Sequence, residues 1–214
     1  MYVDLLKLQL IITPFTGDSN NSLEGQNSES VKLMLSMWHN NQRTCDLMLH
    51  EEQIQNLIHA TNLLFDLLLV EAFFNECFFG FVHKFKSTLI QLCVFGGSAW
   101  IGDWVGNPNP YAYVPDSLPS YKDKIIFWER MINTLLGIAW RIGRMYCYLP
   151  GQDDIMRNHF NDSDDMASVA EIEFTTSLIL LNHHLSINYP RPLMPNLVKV
   201  DGMHVLPPKK ISQV

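Results

Sequence analysis

Two unbroken apolar runs, residues 65–70 (FDLLLV, apolar after its second residue) and 89–95 (LIQLCVF), bracket an apolar segment of helical length. This arrangement constrains the fold more than any other feature of the chain. A strand with one wet face alternates apolar and polar residues; a run without alternation needs cover on both faces, the condition of a parallel sheet. The spacing therefore predicts a β-α-β unit. Shorter runs at 177–181 (SLILL) and 197–200 (LVKV) extend the same sheet.

Helical periodicity surrounds these runs. Ile54, Leu57, Ile58 and Leu64 fit one face of a helix over residues 51–62, with Glu51 and Glu52 placed favourably for its dipole. Across residues 125–149, Phe127, Met131, Leu135, Ile138, Ile142 and Met145 recur at steps of three and four, while Glu129, Arg130, Asn133, Arg141 and Arg144 fall mostly opposite. This predicts a long amphipathic helix whose apolar stripe covers the sheet, a reading preferred over a helix lying on a membrane surface, with a break near Gly137 or Gly143. Two shorter helices are expected at 151–160 and 164–174. Residues 16–30, rich in Asn, Ser and Gly without an apolar period, read as a solvated loop.

A chain of 214 residues forms one domain and buries roughly 70% of its unfolded surface, so it needs neither a disulfide nor a metal to fold. Its net charge of −7 offers no footprint for phosphate backbones, which argues against a nucleic-acid partner. Charged residues are only 17%, too few for a fully wetted surface, which implies a large apolar face turned toward something else. Cys45, Cys77, Cys93 and Cys147 are widely spaced in apolar runs and are expected to be buried thiols rather than a disulfide framework. Residues 1–12 carry Asp4 and Lys7 and make a poor signal peptide. Residues 87–102, the longest run free of charge and histidine, fall short of the roughly 20 apolar residues a membrane span requires.

Nucleotide and nucleophile-elbow motifs are missing; Gly96-Gly97-Ser98-Ala99-Trp100 lacks the second glycine of an elbow. His183 and His184 are neighbours that point to opposite faces at a strand end, and no ligand set at metal-binding spacing exists, so no metal is expected. Glu71 stands out. It closes the first apolar run, and ligands of open parallel sheets bind beyond the carboxyl ends of the strands. A carboxylate there either orients or acts as a base, or serves only as an acid at the start of the next helix. Two glycosylation sequons begin at Asn20 and Asn161.

Several segments in order resemble the animal UDP-glycosyltransferases, especially the insect branch. They are residues 65–71, Gly106-Asn107-Pro108, Tyr113-Val114-Pro115, then Phe127, Arg130 and Asn133, then Ser177, Leu178 and Asn182, and finally residues 191–196 leading to Gly202. The resemblance covers residues 65–210. It implies an α/β fold, a Rossmann-like parallel sheet flanked by helices, forming an incomplete N-terminal half of a two-domain GT-B glycosyltransferase. Residues 1–64 are poorly diagnostic, 65–189 would be the core of the acceptor-binding domain, and the proline-rich residues 190–214 a connector towards the donor domain.

The implied reaction moves a sugar from a UDP-sugar to a small lipophilic hydroxyl compound. A histidine takes the acceptor proton while an aspartate holds its imidazole. By motif position Glu71 stands where that aspartate is usual, and Asp201 stands where a glycine is usual before Gly202. The base histidine, the donor signature, the leader and the membrane anchor of the family are not in this stretch. No cofactor is expected on this chain, UDP-sugar being the co-substrate of the intact enzyme. Trp104 and Tyr111 are candidates to line the acceptor pocket, and equally candidates for the core. Expected partners are the lipophilic acceptor and a donor domain or complete family member; intact relatives are expected at the lumenal side of the endoplasmic reticulum membrane. The competing expectation is a non-catalytic lipophile-binding or interaction module derived from the same fold.

Overall fold

The computed structural model describes residues 23–115, 125–160, 165–184, 186 and 188–202. Residues 1–12, both sequons and the distal prolines Pro207 and Pro208 lie outside them. Four strands, β1 (Leu67–Glu71), β2 (Thr88–Cys93), β3 (Leu178–Leu181) and β4 (Leu197–Lys199), form one sheet in the order β1-β2-β3-β4, every pair parallel. All four coincide with the apolar runs. Burial alternates along them: Leu89, Gln91, Cys93, Ile179 and Leu181 share one buried face, while the opposite face is only partly covered and leaves Leu67 and Leu69 exposed, so the expected cover on both faces is incomplete.

Helix α1 (Leu23–Leu49) precedes α2 (Glu52–His59); α3 (Gly80–Phe85) follows a 3-10 turn (Glu76–Phe79) in the β1-to-β2 crossover; α4 (Ala99–Asp103) follows β2. Helix α5 (Phe127–Gly143) runs through a π-helical turn (Arg144–Tyr148) into α6 (Leu149–Phe160), and α7 (Val169–Glu173) leads to β3. Among the described residues no helix is long and apolar enough to cross a membrane.

Three expectations are corrected. Residues 23–30 of the supposed loop belong to α1. Polar composition is only a weak prior against helix: the lower half of α1 buries Trp38, Cys45 and Leu49 in the core, and the helix propagates back from that anchored part.

The second correction concerns the stripe on α5. Its apolar residues face outward, with Phe127 70%, Leu135 60% and Ile142 55% exposed, and Met131, Ile138 and Met145 open as well. The inward face is Asn133, Gly137 and Trp140, continuing into Arg144. Asn133 donates to Tyr111 O at 2.8 Å and Val114 O at 2.9 Å, and a Cβ on Gly137 would lie 2.2 Å from the Tyr111 ring. Hydrogen bonding and close approach therefore select the buried face. Gly137 does not break the helix, and the π turn begins only after Gly143.

The third correction is a disulfide between Cys45 on α1 and Cys77 in the 3-10 turn, Cα atoms 6.2 Å apart. Cys93 is a buried free thiol, as expected, but Cys147 is exposed. The fold brings residues 45 and 77 together although no local spacing announces it.

Candidate functional site

The carboxyl ends of β1, β2 and β3 gather the first group of residues. Glu71, the last residue of β1, is opposite Leu92 in register and half-buried. Burial raises its carboxyl above the usual range. Beyond the neighbouring strand, Cys93 donates its thiol to Phe95 O at 3.3 Å. Burial pushes that thiol up to about 11, backbone hydrogen bonds from the loop work the other way, and the charges of Glu71 and Arg191 act on it in opposite senses. Arg191 donates to Gly97 O at 3.1 Å, so the proline-rich segment is tied to the loop after β2. Gly97 holds φ +85°, a conformation that favours glycine.

His183, two residues past β3, is buried, whereas His184 is exposed. Burial holds the His183 imidazole below its ordinary value, and Lys199 and Arg191 repel its charged form further. In acid the unfolded chain therefore takes up a proton, near pH 6.5, that the folded chain resists, and stability falls as pH drops through that value. Guanidinium unfolding followed across mildly acidic pH should show this decline, and His183→Leu should make it shallower; an unchanged slope in the variant would contradict the assignment.

A second group builds a cleft of about 450 Å³ between α4, the α5-to-α6 junction and α7. Its walls include Trp100, Trp104, Arg141, Met145, Tyr146 and Phe174. Arg141 pairs with Asp103, whose carboxyl burial raises while Arg141 pulls it down. Trp104 is nearly buried and hydrogen-bonds Glu173, with the Arg144 guanidinium 5.5 Å from its ring centre. Tyr111 lies behind this wall, its ring against Gly137 and 5.4 Å from the Arg141 guanidinium.

Behind the cleft is a charge network that the sequence did not reveal. Arg144 donates to Glu76 Oε1 at 2.6 Å and to both Glu173 oxygens, the longer of these at 3.0 Å. Tyr148 donates to Glu76 Oε2 at 2.8 Å and accepts from Gln152 at 2.7 Å. Burial works against the charge on Arg144, but the two carboxylates overcome it and keep it charged. Burial raises Glu173 to about 6, offset only in part by Arg144. Its one advance signal was an arginine, Arg144, at a helical position flanked by Gly143 and Met145.

The family-like segments also meet in space. Asn107 accepts from Met194 N at 2.8 Å and closes its own loop by donating to Gly102 O at 2.8 Å, while Gly106 beside it holds φ +69°. Asn182 donates to Val94 O at 3.1 Å and joins β3 to the loop after β2. These residues hold the loops over the carboxyl end of the sheet.

A parallel sheet flanked by helices, with a carboxylate at the end of β1 and a separate apolar cleft between helices, defines an α/β fold of the Rossmann-like class. Residues 11–214 match the family model described as UDP-glucoronosyl and UDP-glucosyl transferase, and the chain belongs to that family. It is similar to UDP-glucosyltransferase 2 of Dactylopius coccus, at 31% identity over 172 residues, 78% of this chain and 32% of the relative. It is also similar to the 2-hydroxyacylsphingosine 1-beta-galactosyltransferase of Mus musculus, at 31% over 80% of this chain and 30% of the relative. UDP-glucuronosyltransferase 3A1 of Bos taurus is 26% identical over 79% of this chain and 31% of the relative. The chain thus spans about a third of the length of the curated relatives it matches. No solved structure matches it.

Proposed function

We propose that this chain is the acceptor-binding part of a UDP-glycosyltransferase, a hexosyltransferase acting on a small lipophilic hydroxyl compound, and that the stretch does not turn over substrate by itself. The observation that carries the reading is the apolar cleft beside Trp104, of a size suited to a small ligand, in a chain of this family. The apolar surface left open supports it. On β1, one of the two edge strands among the described residues, Leu67 and Leu69 are exposed, and so is the α5 stripe, as expected of one part of a larger assembly. A donor domain, in the same polypeptide or in a complete family member, is the partner this reading requires, with UDP-sugar as co-substrate and no further cofactor.

In the assembled enzyme Glu71 accepts the N–H of a base histidine supplied from elsewhere and fixes its tautomer. The imidazole removes the acceptor hydroxyl proton as the oxygen bonds to the sugar carbon and the bond to UDP breaks, inverting that carbon. The Glu71 carboxylate then stabilises the imidazolium. Burial, which makes this carboxyl a stronger proton acceptor, suits it to that role. The side chain is one methylene longer than aspartate, so the backbone of β1 must stand back correspondingly. The lumenal side of the endoplasmic reticulum membrane is the location this reading implies, and the Cys45–Cys77 disulfide supports an oxidising compartment.

A planar phenol titrated into the purified chain should quench tryptophan fluorescence saturably, because Trp100 and Trp104 wall the cleft. Phe174→Asp, at a position 59% exposed and so harmless to folding, should weaken binding about tenfold by placing a charge at the cleft mouth. UDP-glucose added with the phenol should release no UDP. Flat titrations would overturn the acceptor role, and UDP release would overturn inactivity of the stretch alone.

A further inference from the structure

Away from the cleft, Asp46 on the last turn of α1, His50 just beyond it and His159 on α6 bring one carboxylate and two imidazoles to a single point. Their ligand atoms all lie within 4.8 Å of one another. Asp46 Oδ1 is 3.0 Å from His159 Nε2 and 3.7 Å from His50 Nδ1. The two rings meet edge to face, 4.4 Å between centres. Asp46 and His50 are four residues apart, the spacing that places two ligands on one helical face, and His159 arrives from a separate helix.

From this geometry we infer that Asp46, His50 and His159 form a zinc-type divalent metal site that clamps the end of α1 to α6, with water as the remaining ligand. Two imidazoles and one carboxylate with an open position make a borderline donor set that suits Zn²⁺. The surroundings fit as well. The His159 side chain is nearly buried, and its other ring nitrogen faces Gln55 Nε2 at 3.2 Å, the kind of outer partner that orients a ligating imidazole. Asp46 and His50 are open to solvent, so a hydrated ion has a path in.

Without metal, Gln55 donates to Leu49 O at 2.7 Å and to His159 Nδ1, which leaves the His159 proton on Nε2 directed at Asp46. Coordination moves that proton to Nδ1 and turns the Gln55 amide so that its oxygen accepts from it. The ion replaces the shared proton between His159 and Asp46; His50, whose Nδ1 donates to Asp46 O at 2.8 Å without metal, likewise shifts its proton to Nε2 to free Nδ1, so no net proton leaves either neutral imidazole. This inference is independent of the glycosyltransferase reading, because none of Asp46, His50 and His159 lines the cleft.

The test titrates Co²⁺ into the chelator-treated full chain near neutral pH and then adds Zn²⁺. A four-coordinate cobalt spectrum that saturates at one equivalent and is abolished by Zn²⁺, together with a rise in the thermal midpoint, is the expected result. His50→Ala, at an exposed position, and Asp46→Asn should each weaken binding at least about tenfold, and His159→Ala should abolish it. No saturable binding overturns the site. Binding undiminished in His50→Ala combined with Asp46→Asn also overturns it, since the ion would then sit on other surface histidines.

Discussion

Arg144→Met lowers the unfolding free energy by about 3–5 kcal/mol near neutral pH, because it strands two buried carboxylates whose only described cation is that arginine. Methionine keeps most of the side-chain volume, so the loss reports charge rather than a cavity. Its pH dependence identifies the cause. With the guanidinium gone, burial holds the Glu173 carboxyl above the unfolded carboxylate value near 4.3. A raised folded value contributes stability below the unfolded value and loses it as pH rises through the folded one. The variant should therefore approach the parent at about pH 5 and fall furthest behind it at about pH 8, as buried Glu173 ionises without its arginine.

Guanidinium unfolding at the two pH values measures the difference directly. Adding Glu76→Gln and Glu173→Gln to Arg144→Met should recover most of the loss near pH 8, since neutral amides can keep the Tyr148 and Trp104 hydrogen bonds. A loss of equal size at both pH values would mean that the network contributes packing and not electrostatics. Trp104 stands on Glu173, so the same substitution should weaken phenol binding in the cleft.

The strands were legible because a parallel sheet writes itself as uninterrupted apolar runs. Residues 177–181 and 197–200 became β3 and β4 within a residue at either end. The orientation of α5 was not legible. Periodicity reports which residues share a face, not which face is buried, and here the inward face is chosen by bonds to residues distant in sequence: Asn133 to Tyr111 and Val114, Arg144 to Glu76 and Glu173. The low charge content had already implied an open apolar face, and α5 is a large part of it.

The candidate site divides in the same way. Glu71 was visible as the end of a strand-like run, and Trp104 as an aromatic near a family-like loop. The Arg144 network was not, since its members are separated by 29 and 68 residues. The same holds for His159, whose partners Asp46 and His50 lie at and just beyond the end of the first helix.

Reduction of the Cys45–Cys77 disulfide should cost about 3–4 kcal/mol, the loop-closure entropy of a bridge across 32 residues. The bridge joins α1 to the 3-10 turn that carries Glu76. Opening it frees the first helix in the unfolded ensemble and loosens the anchor of one carboxylate that holds Arg144. Cys45→Ala with Cys77→Ala should match the reduced parent, and dithiothreitol should then have no further effect. Thiol counting gives an independent check. The unfolded, unreduced chain should show two reactive thiols, Cys93 and Cys147, and the native chain chiefly Cys147. Four thiols in the unreduced unfolded chain, or an unfolding midpoint indifferent to reductant, would remove the bridge. The support it lends to an oxidising compartment would go with it.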